Sequence, residues 1–153
     1  MSQGSKTATK HKTYTYSAKT KWSGNREGTA TSEGLPGLQF ASPPEFKGTK
    51  GRWSPETLFV AALDACTMLT FLSFADRKEV EVVSYESQAE GTLEFVDGSF
   101  RFTKVTLKPR IVVKGDDAVG TAEDLVERAH DKCLIANSTT ADVTVDATVE
   151  SDG

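Results

Sequence analysis

Cys66 and Cys133 are the two residues of this sequence best suited to reversible covalent chemistry. Cys66 lies midway along an apolar segment, and Cys133 lies on the apolar side of a second predicted helix. Each could be a small buried hydrophobic residue, since free cysteine is among the most buried residue types. If the two elements pack together, a thiol of low pKa beside a second thiol is the arrangement of a redox site. The sequence leaves both interpretations open.

A reactive Cys66 needs a cation nearby, because apolar surroundings raise the pKa of a thiol and make it inert. Three residues could supply that charge: Arg26 in a glycine-bounded turn, Arg52 in a long loop, and His130 one turn before Cys133. An arginine at about 4 Å would favour the thiolate by about 4 kcal/mol at an effective dielectric near 20. An exposed hairpin arginine is the alternative for Arg26, and a structural role is favoured for Arg52.

Glu56 is an acidic residue at the start of the apolar segment, where a carboxylate complements the dipole of a helix. Ten residues separate it from Cys66, which is about 15 Å along a straight helix. Glu56 could therefore influence the thiol only by orienting an arginine, or from a second copy of the chain.

A zinc site is an alternative use of the same thiols. His130 and Cys133 share one helical face, and Cys66 could be a third ligand. Two thiolates and one imidazole are a sparse ligand set, and no CxxC or HExxH pattern accompanies them. We therefore expect neither a metal nor another cofactor.

The apolar segment is predicted to be a long helix that begins at residues 54–57 and ends near residues 76–78. Ser54 can cap it, and Pro55 suits the first helical position. Residues 58–75 are apolar on nearly every face, which indicates burial in protein or in a bilayer. An acid such as Asp64 at the centre of a membrane span costs about 2.5–3.5 kcal/mol, so we expect burial in protein.

Strands are predicted on both sides of this helix, because apolar and polar residues alternate with a period of two. The predicted strands are residues 13–19, 27–32, 38–41, 80–85, 88–96, 100–113 and 143–149. A second helix opens at residues 121–124. This order predicts an α+β fold in which antiparallel sheets wrap around a long buried helix.

Three local patterns in the second half of the sequence refine this expectation. Asp97-Gly98 predicts a tight hairpin between two strands. Pro109 predicts a strand at a sheet edge or with a bulge. Five residues at helical spacing predict the buried face of the second helix: Ala122, Leu125, Val126, Ala129 and Cys133.

The chain has 153 residues and a net charge of −4, which predicts one domain over residues 13–150 after a flexible polar tail, residues 1–12. The basic residues form no stripe, so we do not expect nucleic-acid binding. The first residues carry no apolar signal segment, so we expect a cytoplasmic protein without a membrane partner.

Two separated motifs resemble those of the OsmC/Ohr superfamily of thiol-dependent peroxidases. RWSPETLFVAALDAC, residues 52–66, is similar to the family's NPE-L-AA---C helix. AHDKC, residues 129–133, is similar to its AH--C helix. The likeness covers roughly residues 14–149 and implies an OsmC-like fold of two intertwined subunits. This homodimer would have the long helices at its centre and two active sites at the interface.

The resemblance implies a role for each candidate site residue. Cys66 corresponds to the peroxidatic cysteine and Cys133 to the resolving one. Arg26 corresponds to the arginine that stabilises the thiolate, and Glu56 to the acid that orients it. The implied function is reduction of organic hydroperoxides to alcohols through a Cys66 sulfenic acid and a Cys66–Cys133 disulfide. An external dithiol of the lipoyl type would then reduce the disulfide.

Two residues depart from the family pattern, which often has proline at the position of Leu134 and a small neutral residue at that of Asp64. Asp64 lies about 200° around the helix from Cys66 and should face away from it. The alternative function is a non-catalytic, stress-associated binding protein that keeps the fold and buries both cysteines.

Overall fold

The computed structural model describes residues 12–153. Of the predicted tail, residues 1–12, only Lys12 belongs to this described part. The chain forms two compact units, one ending at Pro55 and the other running from Glu56 to Gly153. Both cysteines belong to the second unit, and both candidate arginines belong to the first.

The first unit contains a three-stranded antiparallel sheet in the order β1-β2-β3. Its strands are β1 (Lys19–Gly24), β2 (Glu27–Thr31) and β3 (Leu38–Ala41). The strands predicted at residues 27–32 and 38–41 are therefore confirmed.

The strand predicted at residues 13–19 is wrong, because β1 begins only at Lys19 and residues 13–18 have no regular structure. The alternation on which the prediction relied places Tyr14 and Tyr16 at exposed positions, 73% and 90% accessible. The turn into β2 lies at Asn25 and Arg26, where Asn25 adopts a positive φ of 47°, so Arg26 lies in the glycine-bounded turn that the sequence predicts.

Helix α1 (Pro55–Arg77) begins and ends where the sequence predicts. One face is buried, with an i, i+4 spacing shared by Leu63, Thr67, Phe71 and Ala75. The expectation of burial on nearly every face is wrong for the single chain, since Leu69 is 61% exposed. The reason is that the sheet and second helix of this unit cover only one side of α1.

By length and composition, α1 is the one helix of residues 12–153 that could cross a membrane. The core helix of a soluble protein passes the same test. Asp64 in this helix accepts a hydrogen bond from the Ser87 hydroxyl at 2.6 Å, so the carboxylate is bound within the protein.

A long ribbon follows, made of β4 (Val82–Val96) and β5 (Ser99–Val113) in antiparallel pairing. The hairpin predicted at Asp97-Gly98 is confirmed, and both residues have the positive φ that such a turn requires, 52° and 85°. The two strands predicted at residues 80–85 and 88–96 are one continuous strand, because β5 offers a partner along its whole length.

The sheet of the second unit is mixed, whereas the sequence predicts antiparallel sheets. The predicted last strand, residues 143–149, is two strands, β6 (Asp142–Val145) and β7 (Thr148–Ser151). Both pair with β5 in parallel, one after the other. Apolar alternation reveals a strand but carries no information about the direction of its partner.

Pro109 lies within β5, which has partners on both sides, and the irregularities of the β4–β5 register lie elsewhere. The prediction of an edge or a bulge at Pro109 is wrong. The Leu107 carbonyl accepts the Asp146 N–H at 2.8 Å, so it points to the side of β5 on which β6 and β7 pair. The backbone nitrogen of Pro109, two residues further along the strand, points to that side as well. There β6 ends opposite Leu107 and β7 begins opposite Arg110, which leaves a gap where an N–H is not needed.

Helix α2 (Val119–Lys132) precedes β6 and packs onto the sheet beside α1. The predicted buried face is confirmed, since Ala122, Leu125, Val126 and Ala129 are all buried. The same face continues to Cys133, the residue that ends the helix. This packing brings the C-terminal end of α2 toward the middle of α1.

Candidate functional site

The two cysteines meet in the second unit. Cys66 lies midway along α1 and is partly exposed, whereas Cys133 ends α2 and is 0% exposed. Both are free thiols, and their side chains are hydrogen-bonded to each other. The structure therefore brings together the two sulfur atoms that the sequence singled out.

The end of α2 sets the position of Cys133. Its backbone N–H donates to the His130 carbonyl at 3.3 Å, and its ψ of 115° turns the chain out of the helix. Its carbonyl accepts the N–H of Asn137 at 3.0 Å. The Ala136 N–H donates to the Cys133 sulfur at 3.4 Å, so the turn after the helix folds back over the thiol.

The surroundings of the two thiols separate their ionisation. Burial raises the pKa of Cys66, but hydrogen bonds from the Cys133 thiol, from the Ile135 and Leu134 N–H groups and from the Thr70 hydroxyl lower it further than burial raises it. Burial raises the pKa of Cys133, and its donation to Cys66 raises it again. Cys66 is therefore the thiol that ionises first, with Cys133 as its proton-bearing partner.

Thr70 lies one helical turn after Cys66, and its hydroxyl donates to the Cys66 carbonyl at 2.8 Å. The same hydroxyl reaches the Cys66 sulfur. A hydroxyl has one proton to donate, so Thr70 can serve the sulfur only by rotating away from the carbonyl.

Three donors to the Cys66 sulfur were not among the residues predicted from the sequence: Thr70, Leu134 and Ile135. The i, i+4 spacing from Cys66 could have pointed to Thr70. The two N–H donors had no signal in residue type, because every residue other than proline carries a backbone N–H.

The candidate arginines have partners within the first unit. Arg26 is exposed in the β1–β2 turn, and its Nη1 donates to the Phe46 carbonyl at 2.9 Å. Arg52 forms an ion pair with Glu27 at 3.6 Å and a hydrogen bond to Gln39. The structural role favoured for Arg52 agrees with these contacts.

A cleft of about 390 Å³ lies beside Arg26 in the first unit. Apolar side chains form much of its wall, including Trp22, Phe40 and Pro55. Arg26 therefore lies beside a surface that can accept an alkyl or aryl group.

Glu56 lies in the first turn of α1, ten residues before Cys66. Its Oε1 is buried and accepts no hydrogen bond from any described residue. Burying a carboxylate oxygen without a donor is costly, so Glu56 has an open acceptor for a cationic side chain.

The zinc alternative has no support from the geometry. Within residues 12–153, no three His, Cys, Asp or Glu side chains are placed to hold a metal ion. Cys66, His130 and Cys133 therefore do not form the ligand set considered above. The Nδ1 of His130 is buried, with no hydrogen-bond partner in the described part of the chain.

Asp64 faces β4, where it binds the Ser87 hydroxyl. Burial raises the pKa of the neighbouring Tyr85, and the charge of Asp64 raises it further. The orientation agrees with the expectation that Asp64 faces away from the Cys66 thiol.

Comparison with known proteins assigns the chain to a family. The family model described as OsmC-like protein matches residues 48–148. The peroxiredoxin OsmC of Escherichia coli is 30% identical over 106 residues, which cover 69% of this chain and 73% of that protein.

Solved structures share the fold over most of both chains. An OsmC-like protein of Vibrio cholerae superposes with a TM-score of 0.82 at 29% identity, covering 88% of this chain and 99% of the other. An organic hydroperoxide resistance protein OsmC of Legionella pneumophila gives a TM-score of 0.70 at 29% identity, covering 90% and 97%. The chain belongs to the OsmC-like protein family.

Proposed function

We propose that this protein is a cysteine-based peroxidase that reduces organic hydroperoxides to alcohols. The observation that carries the proposal is the pair of hydrogen-bonded free thiols, of which the partly exposed Cys66 ionises first. A peroxiredoxin and an organic hydroperoxide resistance protein among its relatives support the same activity.

The reaction begins at the Cys66 thiolate, which attacks the distal oxygen of ROOH. A sulfur–oxygen bond forms as the O–O bond breaks, and the alkoxide takes a proton and leaves as ROH. Cys66 is then a sulfenic acid. The Cys133 thiol, already in contact with Cys66, attacks that sulfur; the disulfide forms and water leaves. An external dithiol, of which a lipoyl group is one example, restores both thiols by exchange.

Arg26 and Glu56 complete the proposed mechanism. The Arg26 guanidinium holds the Cys66 thiolate and stabilises negative charge on the reacting oxygens. The open Oε1 of Glu56 orients that guanidinium. The cleft beside Arg26 receives the organic group of the substrate, which favours alkyl and aryl hydroperoxides over hydrogen peroxide.

The working form is an intertwined homodimer in the reducing cytoplasm, where both thiols stay reduced between turnovers. Leu69 on α1 is 61% exposed, and a second copy would cover this face. Leu69→Glu is expected to shift the protein toward monomer in sedimentation velocity. Leu35→Glu, at a residue 64% exposed in the other unit, is the matched control. Equal sedimentation of both variants and wild type as dimers would contradict a dimer through α1.

A thiol titration tests the activity. Cumene hydroperoxide added to the reduced protein should consume both thiols of each chain and release one cumyl alcohol. Cys133→Ser should stop at a sulfenic acid on Cys66, and Cys66→Ser should be inactive. If both thiols survive excess hydroperoxide, the protein is the non-catalytic binding protein instead. Full turnover by Cys66→Ser would remove Cys66 as the nucleophile.

A further inference from the structure

The hydroxyl of Thr67 is buried and makes no hydrogen bond in the reduced protein. The residue is 0% exposed, and its Oγ1 has no hydrogen-bond partner among the described residues. A threonine within a helix often donates to the carbonyl four residues earlier, as Thr70 does to Cys66 at 2.8 Å. Thr67 does not make the equivalent bond to Leu63. An unpaired buried hydroxyl is costly, so this one is open to a group that needs a donor during the reaction.

The packing of the second unit places Thr67 at the level of Cys133. One turn before Thr67 on α1, Leu63 belongs to the buried cluster against which the turn after α2 packs. One turn after Thr67, Phe71 belongs to the cluster that contains Ala129, in the last turns of α2. Cys133 lies between these two parts of the chain and is also 0% exposed. The two residues therefore lie where the two clusters meet.

The surroundings of the Cys133 sulfur act on its ionisation in opposite directions. The N–H of Ala136 donates to this sulfur at 3.4 Å, which favours the thiolate. The Thr67 hydroxyl also lowers the pKa of the thiol, whereas burial and Cys66 raise it. A thiol so deeply buried is a poor nucleophile unless donors support its charge.

We propose that Thr67 is a catalytic residue of the second step, in which its hydroxyl donates to the Cys133 sulfur as that sulfur attacks the Cys66 sulfenic acid. The S–H bond of Cys133 breaks, the S–S bond forms as the S–O bond of Cys66 breaks, and the released proton leaves with the oxygen as water. Thr67 keeps its own proton and stabilises the negative charge that develops on Cys133. The proposal rests on the proposed function in taking Cys133 as the resolving thiol.

The aromatic disulfide DTNB tests this step without a hydroperoxide. One equivalent should react first with the partly exposed Cys66, which releases one thionitrobenzoate and leaves a mixed disulfide. Cys133 then attacks Cys66, forms the protein disulfide and releases a second thionitrobenzoate. Cys66 carries no charge in the mixed disulfide, so the pH dependence of the second release reports the ionisation of Cys133 and the donors that support it.

Thr67→Val replaces the hydroxyl by a methyl group of similar size, and Thr67→Ser, which keeps the hydroxyl, is the matched control. Thr67→Val is expected to raise the pH midpoint of the second release by about one unit. Below the midpoint it should slow that release about three- to tenfold relative to the first. Thr67→Ser is expected to keep the wild-type midpoint. Equal profiles for Thr67→Val and the wild type, or a slower release with an unchanged midpoint, would overturn the proposal.

This test and the hydroperoxide titration fail separately. If both variants and the wild type complete the second release with one midpoint, Thr67 has no catalytic role, and the peroxidase proposal still stands. If Thr67→Val shifts the midpoint in a protein that leaves cumene hydroperoxide intact, the role of Thr67 toward Cys133 is supported and the peroxidase proposal is refuted.

Discussion

Replacing Cys133 by alanine is expected to raise the pKa of Cys66 by about one unit. Cys133 lowers that pKa by donating a hydrogen bond to the Cys66 sulfur. A hydrogen bond to a charged group is worth about 1.5–3 kcal/mol, or roughly one to two pKa units. A thiol is a weak donor, so the lower end of that range applies.

Cys133→Ser is the matched control for this experiment. Both variants prevent the disulfide, but serine keeps a hydroxyl that can donate to Cys66, and alanine does not. Burial of Cys133 is complete, so both small replacements stay out of solvent.

The assay is the pH dependence of Cys66 alkylation by iodoacetamide. The alanine variant should show about a tenfold lower thiolate fraction below the midpoint, and the serine variant should lie closer to the wild type. Identical pH profiles for the alanine variant and the wild type would refute the reasoning that Cys133 stabilises the Cys66 thiolate.

Three further predictions follow from the same structure. Burial and then the charge of Asp64 raise the pKa of Tyr85, so the folded state holds the phenol proton more tightly than the unfolded chain does. The resulting contribution to the free energy of unfolding is present below the ordinary tyrosine pKa of about 10 and is lost as pH rises above it. Urea unfolding should show a smaller alkaline loss of stability for Tyr85→Phe than for the wild type, and an equal loss would contradict this. Gly98→Ala should lower the free energy of unfolding by about 1 kcal/mol, because a φ of 85° is strained for a residue with a Cβ. Gly120→Ala in α2, where an added Cβ meets no atom within 4 Å, should raise it by up to about 1 kcal/mol. A Gly98→Ala variant more stable than the Gly120→Ala variant would contradict the positive φ at the turn. Arg26→Ala should lower kcat/KM for cumene hydroperoxide about 10²- to 10³-fold in stopped-flow assays, and Arg52→Ala, whose guanidinium is paired with Glu27, should lower it far less.

The helices could be predicted from the sequence because their signals are local. Pro55 alone indicates where α1 begins, because proline is favoured at the first helical position. The face of α2 that ends at Cys133 follows from a repeat of 3.6 residues. Neither signal requires knowledge of a distant partner.

The strands were less predictable, because their bounds and directions depend on partners far along the chain. β1 starts at Lys19, the first residue that pairs with β2. The alternating tyrosines that suggested an earlier start lie before the strand. β6 and β7 are separate because each pairs in parallel with a different part of β5. The partial exposure of α1 could not be predicted from the sequence either, since the burial of a helix face depends on which elements cover it.

The candidate site divides in the same way. The chemistry of the thiols identified Cys66 and Cys133, and packing of α1 and α2 brings them into contact. The donors Leu134 and Ile135 could not be predicted from the sequence, because every residue except proline carries a main-chain N–H. The roles of Arg26 and Glu56 come from family resemblance and stay predictions.

The most direct test of the account is a peptide map of the reduced protein after one equivalent of cumene hydroperoxide, digested without reductant. The expected result is one linked peptide pair, joined through Cys66 and Cys133 of the same chain, with one cumyl alcohol formed per disulfide. Both cysteines recovered as free thiols, or Cys66 overoxidised while Cys133 stays reduced, would contradict it.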